Sequence, residues 1–392
     1  MNENFIFTAK QKRLTFILMG VGFLALLLGA FMVEHIERLW ATILFNTVFF
    51  LGIALLGLFF ISASTLANAG WFVLIRRIPE AMINFIPMML PVMLVIFFVG
   101  GHSIYHWTLE EVQATDKIIA GKMPYLNTGF FVFRMVLYFV LWFGLGYLIR
   151  KASQAEDIEG GTSNFKKGGI LSALFILVFG VTSSTSSWDW IMSIDVHWYS
   201  TLFGWYNFAS LFVTGMAVLT LFTIFLKRNG YLEQVNAEHL HDLGKFMFAF
   251  SIFWTYLWFS QFMLIWYANI PEETGYYVTR FEEFGFLFFA TFIINFFVPF
   301  LVLMTRDSKR QMAITTFVAI VIIFGHWLDF WLMIFPGVGH LVHAHWFPGI
   351  LELGVTAGFI GLFIFVTLTG LTKASLVPKN HPYLEESINH QT

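Results

Sequence analysis

Residues 39–62 read LWATILFNTVFFLGIALLGLFFIS. The stretch holds no Asp, Glu, Lys or Arg. Its apolar residues run on without the alternation of a half-buried strand or the polar stripe of a surface helix. It is longer than the roughly 20 apolar residues that cross a bilayer, where every backbone N–H and C=O must be bonded within the segment. A transmembrane barrel is excluded, because its strands alternate and are about 10 residues long. The stretch predicts a membrane-spanning α-helix.

Nine comparable runs surround it, giving ten spans at approximately 14–33, 39–62, 81–101, 126–149, 168–186, 203–226, 244–268, 284–305, 312–334 and 348–371. The first follows Lys10, Lys12 and Arg13 and lacks a small-residue cleavage site, so it is expected to be a retained helix and not a signal peptide. Residues 64–77 either extend the second helix or lie at the interface. Pro87 and Pro91 are expected to break the third. No linker divides the chain, so residues 1–392 are expected to form one polytopic membrane domain, with a short N-terminus at 1–13 and a tail at 372–392.

Composition agrees. Of 392 residues, 58% are hydrophobic and only 12% charged, against about 45–50% and about 25% in a soluble domain. This excludes a soluble globule, a disordered chain and a nucleic-acid binder. Fifty Phe suit a surface facing lipid. The absence of cysteine removes disulfides, iron–sulfur ligation, cysteine-held zinc, c-type haem attachment and a lipoprotein anchor. Any electron chemistry then needs cofactors held by a neighbour or through His.

Orientation follows from Lys and Arg. With the N-terminus inside, the inner segments hold 17 of the 22 basic residues, four lie outside, and Arg134 sits within the fourth helix. Both termini are therefore expected in the cytoplasm.

Polar residues within the spans are costly and are functional candidates. They cluster toward the outer side, with Asp189, Asp195 and His197 in the connection between the fifth and sixth helices. Gln261, His326, Asp329 and Glu352 lie near outer helix ends. Arg134, about 13 Å deep at 1.5 Å per residue, keeps its proton and needs a carboxylate, carbonyls or water. It reads either as a structural ion pair, with Asp189 or Asp329 the favoured partners, or as a charge tuning a proton path or quinone pocket. His326 and Asp329 are spaced i, i+3 on one face, as a proton-passing pair would be, or as a pair that packs a helix end. Trp327 and Trp331 read as interface anchors. His340, His343 and His345 have a spacing open to metal, but they read better as an outer loop, and no metal site is expected. Asp189, Asp195, His326, Asp329 and Glu352 are expected to line an outer half-channel with few basic residues around it. The competing reading is that they bind outer subunits.

The most unusual stretch is WDWIMSIDVHWYSTLFG, residues 188–204, after the hydroxyl run Ser183–Ser187. It resembles a signature of the F subunits of the bacterial alternative complex III, quinol:cytochrome c or copper-protein oxidoreductases within the wider NrfD/PsrC-like membrane anchors. The resemblance covers essentially the whole chain, with Val196 where proline is more usual. It implies two four-helix bundles, helices two to five and six to nine, flanked by the first and last. It implies a bacterial inner-membrane subunit of the respiratory chain, non-catalytic by itself, acting as scaffold and candidate proton conduit. Haem c and iron–sulfur clusters would reside in partner subunits, a sister ten-helix subunit would hold the better-supported quinol site, and a terminal oxidase is a further candidate partner. No cofactor is expected on this chain itself beyond a quinone or lipid. The alternative class is a secondary transporter, with broken helices and midplane polar groups.

Reporter tags at Thr392 and within residues 102–125 check the topology. The first is expected to read cytoplasmic and the second external. An external C-terminus would overturn the span count.

Overall fold

A computed structural model describes residues 4–32, 35–338 and 347–391. Among them ten helices are long and apolar enough to cross a membrane. They are α1 (Ala9–Phe31), α2 (Ile36–Leu66), α3 (Val73–Ile104), α4 (Thr128–Glu159), α5 (Ser163–Ile194), α6 (Leu202–Arg228), α7 (Ala237–Ala268), α8 (Gly285–Val302), α9 (Met312–Gly337) and α10 (Ile350–Leu371). The chain is an all-α protein of multi-pass membrane type.

Several helices outrun their apolar cores. α4 continues to Glu159 and stops where Gly160 takes φ +66°, a left-handed value that glycine adopts without a Cβ clash. α7 starts at Ala237, because Asn236 accepts from the Glu238 and His239 amides and the His239 ring accepts from Asn236 in return. α5 departs most from expectation. The serine run does not end it. Ser186 and Ser187 donate to the carbonyls of Ser183 and Ser184 at 3.0 and 2.7 Å, so the hydroxyls are satisfied inside the helix. The helix therefore runs on through Trp190 to a 3₁₀ turn at Met192–Ile194. Asp189 lies on α5 and not in the connection after it. α3 also differs. A 3₁₀ turn at Ile83–Phe85 precedes Pro87, which sits in the first turn of the next helical segment, and that segment passes through Pro91 unbroken.

α2 and α6 are buried along most of their length. α2 packs against α3 and α5, and α4 lies against both α3 and α5. α6 packs against α7 and α9, with α8 against both of those. α6 also meets α2 and α5, while α1 packs along α10, which leans on α2 and α3. The two ends of the chain meet on one face, where Asn4 bridges Ser375; this is the terminal face. On the opposite face the connection after α3 carries short helices at Glu110–Thr115 and Lys117–Lys122, and helix Pro271–Glu282 links α7 to α8.

The α1–α10 contact rests on small residues. Gly354 meets Ala25, and Gly361 meets Leu18 and the Thr15 carbonyl. A Cβ on Gly358 would lie 2.7 Å from the Gly22 Cα. These glycines let two helices approach backbone to backbone, the usual basis of helix association in lipid. Gly358→Leu is expected to lower the melting temperature in detergent, since forced overpacking costs about 1–3 kcal/mol. Gly144→Leu, at a position with nothing within 4 Å of its Cβ direction, is the control. Equal melting temperatures would show that α1 is not held by this contact.

Candidate functional site

The five candidates, four acids and His326, stand in different surroundings. Two are locked by arginines, which corrects the expectation of few basic residues nearby. Arg134 is buried and grips Asp189 with Nε and Nη2 at 2.8 and 2.9 Å, and Tyr138 donates to the same carboxylate at 3.0 Å. The guanidinium also donates to the Tyr125 carbonyl at 3.0 Å and lies 3.9 Å from the Tyr125 ring centre. Glu352 accepts from Arg38 at 2.6 and 2.8 Å and from the Gly349 amide at 2.6 Å. It thereby caps α10 and ties it to α2. Both sites join helices with complementary charge.

Asp329 and His326 are set differently. Both lie on α9 and are buried. Asp329 accepts from the Tyr206 hydroxyl, from Ser210 Oγ at 3.0 Å and from Trp254 Nε1 at 3.0 Å. All three donors are neutral. His326 Nδ1 stands 3.7 Å away, and among the described residues no Lys or Arg is within ion-pair distance. Ser210 gives its one proton to Asp329, so the 2.9 Å contact from Ser210 to His326 Nδ1 is completed by the imidazole N–H. The result is a carboxylate, a hydroxyl and an imidazole in series, drawn from α6 and α9, with Trp254 of α7 donating to the carboxylate. Trp331 and Trp327 prove buried rather than interfacial, with Trp327 donating to Thr356 at 3.0 Å.

Small cavities lead from this cluster toward the opposite face. One of about 20 Å³ touches Asp329, Tyr206, Gln261, Tyr276 and Arg280. The next, about 10 Å³, touches Tyr276, Arg280, Met333 and Asp195. Each is near the size that admits a single water. Gln261 Oε1 is buried without a partner, which such a water would satisfy. Arg280 stands between the cavities. It donates to the Leu332, Met333 and Tyr276 carbonyls and lies 3.3 Å from the Tyr276 ring centre, where it complements the negative end of α9. Burial pushes the Tyr276 hydroxyl up to about 12, opposed by the Arg280 charge. Asp195 is half-buried on the face opposite the termini. Beside it, partial burial holds the Lys122 amine below its usual range, with Asp195 and Asp116 pulling the other way. His197 is exposed and bonds Asp116 at 2.6 Å, which depresses that carboxyl.

The terminal side is richer in buried charge than its sequence suggested. Arg77 pairs with Glu80 at 2.6 Å and with Asp157, while Arg76 holds Glu80 at 2.9 Å. Nearby, burial first and then Arg76 drive His381 of the tail down to about 3. The signal was present, in that Arg76, Arg77 and Glu80 abut a span, but nothing in one dimension buries them. Gln261 and Arg280 were likewise placed in sequence without a role.

Among the described residues no three His, Asp or Glu side chains converge as a metal would need. His340, His343 and His345 lie outside the described residues. A nearly wholly apolar crevice of about 660 Å³ opens between the α1–α10 pair and α2, α6 and α9, lined by Phe49, Phe50, Phe222, Phe324 and Phe363 among others. Its volume is that of a small-molecule pocket. No protein-family model matches this sequence, and no curated protein matches it.

Arg134→Met or Asp189→Asn alone is expected to lower folded yield and melting temperature sharply, because a broken buried pair typically costs about 3–5 kcal/mol. Phe133→Leu, on the exposed face of the same helix, should change little. A double change of Arg134→Met with Asp189→Leu is expected to recover part of the loss. Yields equal to Phe133→Leu would mean that water reaches the pair.

Proposed function

We propose that this chain is an integral membrane subunit of a respiratory quinol:electron-acceptor oxidoreductase, in which Asp195, Asp329 and His326 form the outer part of a proton route. Electron transfer belongs to partner subunits that carry haem c and iron–sulfur clusters. Asp189 and Glu352, proposed from sequence as part of the route, act instead as helix ties. The observation that carries the proton reading is the Asp329 site. A carboxylate held by three neutral donors and an imidazole, inside an apolar helix assembly, has hydrogen bonds but no fixed counter-charge. A mobile proton is the charge such a site can take up and release.

The packing of α2–α5 in one ring and α6–α9 in another supports the two-bundle arrangement that the resemblance implies. The signature 188–204 supports the family. Its Asp189 organises α4 and α5, its Asp195 borders the outer cavity, and its Trp198 stacks on Tyr276 at 3.8 Å between ring centres. The apolar crevice supports a place for a quinone tail or a lipid chain. In this reading both termini face the cytoplasm and the opposite face meets the redox subunits.

The test uses the intact complex in vesicles. Asp329→Asn keeps size and hydrogen bonding but cannot cycle a proton in the same way, so the proton-to-electron ratio is expected to fall while assembly holds. Glu352→Gln is expected to act on assembly first. Normal turnover with an unchanged ratio in Asp329→Asn would overturn the proton reading and leave subunit docking. Purification without any haem or iron–sulfur polypeptide, together with solute uptake by the chain alone, would favour a secondary transporter.

A further inference from the structure

A second set of buried polar atoms lies on α8 where it meets α9 at Gly325, the residue before His326. Asn295 on α8 is fully buried, and both its amide oxygen and its amide nitrogen lack a partner. Thr291, four residues before it on the same helix, is also buried with an unpartnered hydroxyl. On α9 the free ring nitrogen of His326, Nε2, is buried and unpartnered. With Nδ1 carrying the proton, Nε2 is an acceptor in want of a donor.

The backbone is shaped around this place. α8 changes to a π-helical turn at Ile293–Phe297, centred on Asn295, and this turn packs against both α7 and α9. Such widened turns in α-helices recur at functional sites. Opposite it stands Gly325, the residue before His326. A Cβ there would lie 2.1 Å from Asn295 Oδ1, so glycine alone lets the amide sit against α9. Membrane interiors offer no bulk water to an orphan amide. Native structures seldom leave one dry, and an unpaired buried group points to an unseen water or ion.

The mixture of atoms decides between those two. Asn295 Nδ2 is a donor, the Thr291 hydroxyl is a donor or acceptor, and Asn295 Oδ1 and His326 Nε2 are acceptors. A cation would be repelled by the amide N–H groups. Water donates two hydrogen bonds and accepts two, and it suits the whole set.

We infer that the space around Asn295, between α7, α8 and α9, holds bound water that bonds Asn295 and the Nε2 of His326. Gly325 makes room for the Asn295 amide itself, and the π-turn presents that amide between α7 and α9. This inference concerns hydration and stands whether or not protons move through Asp329. Where they do, His326 meets the Asp329–Ser210 pair through one nitrogen and water through the other, so the route extends toward the middle of the membrane.

An experimental density map of the full chain in its complex, at a resolution that shows ordered water, tests this directly. Density is expected within hydrogen-bond distance of the Asn295 amide and of His326 Nε2, and it should be lost in Asn295→Leu. The melting temperature gives a second reading. Loss of a hydrated amide is expected to lower it in Asn295→Leu, whereas removal of a dry orphan would raise it. Thr291→Val, a smaller change at the same site, serves if Asn295→Leu does not fold, and is expected to weaken the density and lower the melting temperature. A wild-type map without such density, or a rise in melting temperature on either substitution, would overturn the inference. A melting temperature that rises with sodium but not with choline would replace water by a cation. Because none of these readouts is turnover, failure here is distinguishable from failure of the proton reading.

Discussion

The interior of a bilayer supplies no water to a polar group, and this one constraint organises the molecule. An arginine in a span keeps its charge, so the fold must deliver an anion, carbonyls or water to it. Arg134 receives Asp189 and draws α4 onto α5. Arg38 receives Glu352 and draws α2 onto α10. Arg77 receives Glu80 and Asp157 and fixes the start of α3 to the end of α4. Each pair is weak evidence of net stabilisation, because burying two charges costs about what their attraction returns. Each is strong evidence of specificity, because either partner left alone is an uncompensated charge in a low-dielectric medium.

Asp329 departs from this pattern, and the proposed proton role rests on that departure. Tyr206, Ser210 and Trp254 offer it directed hydrogen bonds without a formal charge. Such donors orient a carboxylate but do not neutralise it. A carboxylate clamped by arginine is committed to one charge state. One held by neutral donors beside an imidazole has directed hydrogen bonds and no guanidinium in contact with it. Two water-sized cavities lie beside it and beyond it, and Tyr276 and Arg280 line both. The apolar packing of α1 on α10 through Gly22, Gly354, Gly358 and Gly361 plays no part in this chemistry. It closes one side of the apolar crevice.

The site was legible in sequence only in part. His326 and Asp329 stood out because an i, i+3 pair within an apolar run is visible on the page. Asp195 stood out because the signature stretch carries acids without bases. Arg280 did not, since an arginine in a connecting segment looks solvated until the helix Pro271–Glu282 folds back over the end of α9. Asn295 and Gly325 did not either, since an amide and a glycine within apolar runs look unremarkable until they are found back to back. The end of α5, expected near residue 186, was not legible either, because hydroxyls that bond to their own helix carbonyls and hydroxyls that end a helix are spelled the same way.

The sequence alone determined the class of protein, the number of spans and the lopsided distribution of Lys and Arg. These are properties of the chain in one dimension, set by the length of each apolar run against bilayer thickness and by the residues between runs. Only the tertiary structure decided which acids are spent on arginine and which remain free. Asp189 lies 55 residues from Arg134, Glu352 lies 314 from Arg38, and Asp329 lies 119 from Ser210. A charge tied to its partner and a charge available for chemistry have the same letter in the sequence. The difference arises when helices far apart in the chain bring a guanidinium to one and neutral donors to the other.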